Sequence, residues 1–258
     1  MKSWALSIFI IFGLSSSFCV YMASSSSSVK NNKIRKGNYQ NRVIEDFRRN
    51  TEDSLRSEYV DLMGFIPDLK IDLRYATMDN FTKQVLYSSW KRAYANKGTA
   101  TKLNNAMKIL KSIDPALSLL IYDAARPLSV QKKMWLALDS IPPKERIKFL
   151  SPPSSLSLHN FGCALDITIC TLDGIPLDMG AGYDDMRKIA YPSYENYYLS
   201  CGLLSQQQVN NRKLLRKVMY QAGFTGISTE WWHFNAFSKE FAKQHFQVIN
   251  EEDDVFNK

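Results

Sequence analysis

Two of the three histidines in the chain lie in short segments that also carry acidic residues. The first segment, SLHNFGCALD, contains His159 and Asp166, and the second, EWWHF, contains Glu230 and His233. A hydrolytic zinc site needs three protein ligands, an open position for water and a base that accepts a proton. A His/His/Asp set suits zinc best among the divalent metals. The sequence therefore predicts one Zn²⁺ per chain, bound by His159, Asp166 and His233.

The spacing within each segment sets conditions on this prediction. Asp166 lies in the apolar stretch ALDITIC, where a carboxylate is costly to bury unless it is paired or binds a metal. A buried salt bridge is the alternative. Gly162 allows the backbone to turn, so that His159 can approach Asp166. Glu230 and His233 would face opposite sides of a flat strand, so the hypothesis requires a bulge, a strong twist or a turn between them.

Glu230 and Arg126 are the candidate catalytic residues. We expect Glu230 to accept a proton from water and pass it to the leaving amine, without binding the metal. Arg126, in the motif DAARP at the end of an apolar run, would stabilise the charge that develops on the carbonyl oxygen. Its alternative is a structural role in which Asp123 holds it. The third histidine, His245, is predicted to be a surface residue outside the site.

The elements that must position these residues mix strands and helices without a regular βαβ order. Apolar periodicity predicts strands over residues 71–76, 117–122, 164–170 and 225–234. It predicts helices over residues 101–113, 129–138, 211–222 and 237–246, and a short helix starting at 142. This order favours a single α+β domain with an antiparallel sheet and flanking helices.

Both ends of the chain are predicted to lie outside that domain. Residues 1–23 contain the apolar run WALSIFIIFGL and are predicted to form a signal peptide, with lipid attachment at Cys19 as an alternative. Residues 24–42 are predicted to form a serine-rich and basic linker. The catalytic domain would span 43–247 and an acidic tail 248–258, in which residues 251–254 are expected to be frayed. We therefore expect an exported protein, periplasmic or secreted, with membrane anchoring through the N-terminus as a variant.

The charge of the chain narrows the possible binding partners. The net charge is +8, but no basic patch is interleaved with aromatic residues, so nucleic acid is not an expected partner. The basic linker would make weak contact with a membrane or wall polymer, or serve only as a solvated tether.

Cys163, Cys170 and Cys201 form no CxxC pair, which argues against a disulfide framework. Cys163 and Cys170 should face opposite ways, and the pairing of Cys201 stays open.

Several segments, in the same order, resemble D-alanyl-D-alanine dipeptidases of the vancomycin-resistance type and their periplasmic relatives. They cover about residues 60–240 and comprise IDLRYAT, DNFT, DAARP, the two histidine segments, MGAGYD and NRKLLR. The resemblance implies the α+β zinc fold shared with D,D-carboxypeptidases and the hedgehog amino-terminal domain. Leu158 and Asn160 depart from it, since the family often has serine on each side of the metal-binding histidine.

The resemblance implies the same metal ligands, with Glu230 as the base and Arg126 as the group that stabilises the tetrahedral intermediate. It adds four substrate-binding residues, two that would bind the free ammonium and two that would line the site: Tyr75, Asp184, Ser157 and Asp123. A closed pocket around an ammonium would exclude longer peptides.

The predicted function is zinc-dependent hydrolysis of D-Ala-D-Ala, or of a similar small D-amino-acid dipeptide, in cell-wall peptide turnover. One alternative is a zinc D,D-carboxypeptidase or peptidoglycan endopeptidase that acts on longer wall peptides. The other is a non-catalytic zinc-containing binding protein. The presence of both Glu230 and Arg126 argues against a binding protein, which needs neither. The oligomeric state is left open.

Overall fold

The computed structural model describes residues 59–255 of the chain. The predicted signal peptide, the linker and residues 43–58 of the predicted domain lie outside the described residues. Within the described part, strands and helices are mixed as the sequence predicts. No helix in that part has the length and apolar character needed to cross a membrane.

The described residues form seven strands and seven α-helices. The strands are β1 (Tyr59–Asp61), β2 (Lys70–Ile71), β3 (Tyr94–Asn96), β4 (Leu117–Asp123), β5 (Ala164–Thr171), β6 (Thr225–Gly226) and β7 (His233–Asn235). The α-helices are α1 (Leu62–Phe65), α2 (Lys97–Ile113), α3 (Leu128–Ala137), α4 (Pro143–Arg146), α5 (Glu195–Ser200), α6 (Gln206–Gln221) and α7 (Lys239–His245). Short 3₁₀ turns lie at Arg74–Ala76, Leu158–Phe161, Lys188–Ala190, Pro192–Tyr194 and Glu252–Val255.

A five-stranded sheet with the order β2-β4-β5-β7-β6 carries the fold. All neighbouring pairs are antiparallel except β2 and β4, which are parallel. A parallel pair needs a long crossover, and here the chain between β2 and β4 contains β3 and α2. The α+β fold with flanking helices is thus confirmed, with one parallel edge strand in an otherwise antiparallel sheet.

The main hydrophobic core lies between this sheet and two long helices, α2 and α6. Helix α2 buries one apolar face at helical spacing, through Leu103, Ala106, Met107 and Leu110. Strand β5 contributes Leu165, Ile167 and Ile169 to the same core, as predicted. The opposite face of β5 is also buried, and it carries Asp166. A carboxylate therefore lies inside the protein, where it requires partners.

Two predicted strands are wrong in their extent. The strand predicted over 71–76 ends at Ile71, and the chain then turns through Arg74–Ala76. Burial of every second residue continues through this turn, so the sequence pattern does not reveal where the strand stops. The strand predicted over 225–234 is split into β6 and β7 by an irregular connection. That break is the one the site hypothesis requires before His233.

The prediction that the acidic tail is frayed is also wrong. Glu252 is only 8% exposed. Its carboxylate accepts five hydrogen bonds from the backbone and hydroxyl groups of Ser88 and Ser89 and from the backbone N–H of Trp90. These donors replace the water that a buried carboxylate loses, so the segment packs against the domain.

The three cysteines of the predicted mature chain are free. Cys163 and Cys170 are buried and do not pair with each other, as predicted. Cys201 is exposed and free, which answers the question that the sequence leaves open.

Candidate metal centre and active site

The three predicted metal ligands come together from three different elements. Asp166 lies on β5 directly opposite His233, the first residue of β7. His159 lies in the 3₁₀ turn that precedes β5. One ligand atom from each of the three residues lies within 4.8 Å of the others. The structure thus joins residues that are up to 74 positions apart in the sequence.

The 3₁₀ turn is shaped by its two ends. Ser157 caps it by accepting a hydrogen bond from the backbone N–H of His159. Gly162 ends it with φ +62°, a left-handed conformation that glycine adopts without strain. A Cβ atom at Gly162 would lie 2.8 Å from the backbone nitrogen of Asn96. Glycine is therefore required both for the turn and for the close packing beside β3, and this bears out its predicted role.

Each of the two histidines uses one ring nitrogen to donate a hydrogen bond to a neighbouring residue outside the metal centre. His159 donates from Nδ1 to the backbone oxygen of Ala124 at 2.6 Å. His233 donates from Nε2 to Oδ1 of Asn235 at 2.8 Å. A neutral imidazole that donates from one nitrogen offers a lone pair on the other. His159 Nε2 and His233 Nδ1 thus face each other as acceptors, 3.2 Å apart.

Asp166 completes this set with one oxygen and is held in place by the other. Its Oδ1 lies 3.0 Å from His233 Nδ1 and 3.4 Å from His159 Nε2. Its Oδ2 accepts a hydrogen bond from the hydroxyl of Tyr183 at 3.0 Å. Burial acts to raise the pKa of Asp166, but the positive charge that the neighbouring histidines carry when no metal is bound holds it well below its usual value. Three acceptor atoms converging on one point fit a divalent metal ion, and His/His/Asp is a donor set typical of zinc.

Glu230 lies beside this centre rather than within it. Residues 227–232 are irregular, and this break turns Glu230 to the same side as His233. Its Oε2 lies 3.9 Å from His233 Nδ1, and its side chain is 24% exposed. Burial raises the pKa of Glu230 to about 7, although the neighbouring His233 acts to lower it. A carboxylate with a pKa near neutrality can exchange protons at neutral pH, as a general base must.

Arg126 is 4% exposed and points at the metal centre. Its guanidinium lies 3.5 Å from Asp166 Oδ2 and 5.1 Å above the ring of Tyr75. Gln131 accepts a further hydrogen bond from it at 2.9 Å. The hydrogen bonds to neighbouring groups hold the guanidinium in one position, which suits a group that must stabilise a developing negative charge.

The prediction that Asp123 lines the substrate site requires correction. Asp123 is fully buried and lies beneath Arg126, away from the cavity. Its Oδ2 accepts two hydrogen bonds from Arg126, at 2.8 Å and 2.6 Å. Its Oδ1 accepts one from the hydroxyl of Tyr87 at 2.5 Å. The last residue of β4 therefore positions the arginine, which is the structural role that the sequence left as an alternative for this pair.

Tyr75 and Asp184 lie next to each other in the lining of the same cavity. The hydroxyl of Tyr75 donates to Asp184 Oδ1 at 3.0 Å, and the backbone N–H of Phe81 donates to Oδ2 at 3.3 Å. Asp184 has φ +61°, a conformation that aspartate tolerates better than most residues. Burial, and then the charge of Asp166, raise the pKa of Asp184 to about 7. A partly buried carboxylate with a raised pKa and two donors provides a place for a cationic ligand group.

These side chains line one cavity of about 250 Å³. Its walls include both histidines, Asp166, Glu230, Arg126, Tyr75, Asp184 and Ser157. Sites for drug-sized ligands occupy about 300–1,000 Å³, so this cavity suits a smaller molecule. His245 lies apart from it, half-buried and stacked on Phe241 with ring centroids 4.0 Å apart.

Two further residues of the site were not predicted. Tyr183 holds Asp166, and Asn235 holds His233. The sequence could have indicated both residues. Tyr183 belongs to the MGAGYD segment, and Asn235 is two residues after His233, on the same face of a strand. Asn160, one of the departures from the family pattern, donates to the backbone oxygen of Arg126 at 2.8 Å. It thereby ties the turn that carries His159 to the segment that carries Arg126.

Comparison with known proteins places this chain in a family. The model of peptidase family M15, described as D-ala-D-ala dipeptidase, matches residues 56–251. A D-alanyl-D-alanine dipeptidase of Escherichia coli K12 is 36% identical over 178 residues, which cover 69% of this chain and 84% of that protein. A D-alanyl-D-alanine dipeptidase of Synechocystis sp. is 30% identical over 184 residues, covering 58% of this chain and 72% of that protein. A solved structure of the LD-carboxypeptidase LdcB is 17% identical, covers 73% of this chain and 72% of its own, and has a TM-score of 0.41. With about three quarters of its length matched by the family model, the chain belongs to the D-ala-D-ala dipeptidase family of M15 peptidases.

Proposed function

We propose that this protein hydrolyses D-Ala-D-Ala, or a similar small D-amino-acid dipeptide, with a zinc ion held by His159, Asp166 and His233. The observation that carries the proposal is the convergence of three acceptor atoms beside a carboxylate that is not needed as a ligand. When bound, the zinc ion would polarise the scissile carbonyl and lower the pKa of a water molecule. The residues around it can perform the remaining steps.

Glu230 acts first as the general base and then as the general acid. With its pKa raised to about 7 by burial, its carboxylate can accept a proton from the attacking water and its acid form can return that proton to the leaving amine. Arg126 stabilises the negative charge that builds on the carbonyl oxygen, since Asp123 and Gln131 hold its guanidinium in place before the reaction. No reorganisation of the arginine is then needed as the charge develops.

Tyr75 and Asp184 bind the free ammonium of the substrate. The ammonium would lower the raised pKa of Asp184 and form a charge-assisted pair with it in a buried place. The cavity of about 250 Å³ suits a small ligand such as a dipeptide, and the relatives that the chain matches are D-alanyl-D-alanine dipeptidases. We therefore prefer a dipeptidase in cell-wall peptide turnover to a D,D-carboxypeptidase, an endopeptidase or a non-catalytic binding protein.

The proposal is tested with the purified zinc-loaded protein and two substrates, D-Ala-D-Ala and a wall pentapeptide that ends in D-Ala-D-Ala. Released D-alanine is measured over time. Release from the dipeptide alone is the expected result. Release only from the pentapeptide would assign the protein to the carboxypeptidases, and no release from either would contradict a role in hydrolysing these peptides.

We also propose that the protein is exported. The support is the apolar run WALSIFIIFGL after Lys2, followed by small residues. Such a location suits salvage of dipeptides released from the wall, because precursor D-Ala-D-Ala is made inside the cell. Fractionation of cells that express the full chain is expected to place a shortened protein outside the cytoplasm. An unshortened protein in the cytoplasm would contradict export.

A further inference from the structure

The dipeptide substrate of the proposed reaction carries an ammonium and a carboxylate. Tyr75 and Asp184 bind the ammonium, and no residue has yet been assigned to the carboxylate. A dipeptide ends in a carboxylate, and a site that discriminates small dipeptides needs a cation or strong donors at that end. Three cationic side chains line the cavity: Arg126, Lys148 and Lys239. Their other partners decide which of them is available to the substrate.

Arg126 and Lys148 are already engaged. Arg126 makes hydrogen bonds with Asp123 and Gln131 and lies beside Asp166. Lys148 forms an ion pair with Glu145, and its side chain is 59% exposed. Neither offers a desolvated positive charge without a protein anion.

Lys239 differs from both. It is the first residue of α7 and is half-buried. Within residues 59–255, no carboxylate lies within 4.0 Å of its ammonium. Burial, and then the nearby charge of Lys243, lower the pKa of Lys239. The charge of Glu240 opposes this shift without outweighing it. The ammonium is thus partly desolvated with no carboxylate near enough to pair with it, and a ligand carboxylate would supply that partner.

The order of the strands separates Lys239 from the residues that bind the ammonium. Tyr75 follows β2, Asp166 lies on β5, and Lys239 follows β7 by four residues. Because the sheet order is β2-β4-β5-β7, the tyrosine follows a strand on one side of β5, which carries Asp166, and the lysine follows a strand on its other side. Helix α7 also packs against the turn that carries His159. A dipeptide laid across the centre would thus point its two ends at opposite charges.

We propose that Lys239 binds the terminal carboxylate of the dipeptide and is a specificity-determining residue of this enzyme. The inference rests on the proposed function. It assigns the substrate class as a zwitterionic dipeptide, recognised at the ammonium by Tyr75 and Asp184 and at the carboxylate by Lys239.

The test compares two substrates that differ only at that end, D-Ala-D-Ala and its C-terminal amide, D-alanyl-D-alaninamide. The full chain loaded with zinc is used, and release of D-alanine gives kcat/KM for each. In Lys239→Met, kcat/KM for the free acid is expected to fall about 10- to 100-fold, mostly through KM, because a charge-assisted hydrogen bond is lost. The value for the amide is expected to change less than about twofold. Lys239→Arg, which keeps the charge, is expected to retain most of the preference for the acid.

Lys243→Met is the matched control, since Lys243 lies one turn further along α7 and does not line the cavity. It is expected to leave both substrates unaffected. The thermal midpoint and zinc content of every variant are measured, so that a folding defect is recognised separately.

An equal loss for acid and amide in Lys239→Met, or no loss for either, would overturn the role of Lys239 while leaving the proposed function intact. A wild-type protein that cleaves neither substrate would overturn both.

Discussion

Asp166 and His233 are opposite each other on neighbouring antiparallel strands, and Asp166 Oδ1 lies 3.0 Å from His233 Nδ1. Side chains at opposite positions of such strands start about 4.5–5.5 Å apart at Cβ, which is close enough to share one ion. The register of β5 and β7 therefore sets the metal centre as much as the residue types do. A slip of one residue would turn Asp166 to the other face of the sheet.

Removing a metal ligand should remove the metal. His159→Ala is expected to reduce bound zinc from about one equivalent to less than about a tenth, because two ligands cannot close a stable site. Metal content after dialysis, measured by elemental analysis, checks this. His245→Ala is the control, since His245 stacks on Phe241 away from the centre. Equal zinc loss in both variants would contradict the assignment.

The outer partner of His233 should tune the affinity without abolishing binding. Asn235→Ala removes the acceptor for His233 Nε2 and is expected to weaken zinc binding about 10- to 100-fold. Competition with a chromogenic chelator measures the change. Asn210→Ala, at an exposed position of α6, is expected to leave the affinity unchanged. An Asn235 variant with wild-type affinity would show that this hydrogen bond does not orient the ring.

Glu230 should affect the chemistry and not the metal. Glu230→Gln keeps the shape of the side chain and removes its capacity to accept a proton. We expect kcat for D-Ala-D-Ala to fall about 10²- to 10⁴-fold, with zinc content and KM near those of the wild type. Steady-state kinetics together with metal analysis separate the two effects. A kcat within tenfold of the wild type would sink the assigned role.

Asp123 should contribute to stability as well as to activity. Asp123→Asn leaves the buried guanidinium of Arg126 without its closest charged partner. We expect the free energy of unfolding to fall by about 3 kcal/mol, because breaking a buried ion pair uncovers an uncompensated charge. Urea denaturation of the zinc-loaded protein measures this.

The matched control for Asp123 is Glu145→Gln, which breaks the exposed pair with Lys148. Exposed pairs contribute less than about 1 kcal/mol, so this variant should unfold close to the wild type. A loss in Asp123→Asn no larger than in the control would mean that the pair adds little to folding.

The C-terminal segment should make stability depend on pH. Burial acts to raise the pKa of Glu252, but hydrogen bonds from Ser88 and Ser89 outweigh it and lower the pKa from 4.5 to about 2. Below pH 4.5 Glu252 is protonated in the unfolded chain, whereas in the folded protein it stays ionised until the pH approaches 2. The contribution of Glu252 is therefore complete above about pH 5 and is lost as the pH falls towards 2.

Glu252→Gln tests this dependence. At pH 7 the variant is expected to be about 2–3 kcal/mol less stable than the wild type, and this difference should shrink steadily between pH 5 and 3. Urea denaturation across this range measures it. Glu251→Gln, at the exposed neighbouring position, serves as the control and should show no such trend. A difference that stays constant with pH would mean that the carboxylate charge is not what holds the segment.

The sequence by itself determined the residue types of the centre and the fold class. Two histidines, a carboxylate in an apolar strand and a spare glutamate were visible from their spacing, and the periodicities predicted β4, β5 and the long helices. Gly162 was also visible, because a turn between His159 and Asp166 demands a residue free of a Cβ. These features are local, so a pattern of a few residues is enough to reveal them.

Only the tertiary structure decided how those residues act together. That Asp123 lies under Arg126 rather than in the cavity depends on the segment after β4, which brings the guanidinium of Arg126 back to the carboxylate of Asp123. That Glu252 is anchored depends on Ser88 and Ser89, more than 160 positions away. Long-range contacts of this kind leave no periodic trace in the chain, because they depend on which surfaces meet after folding.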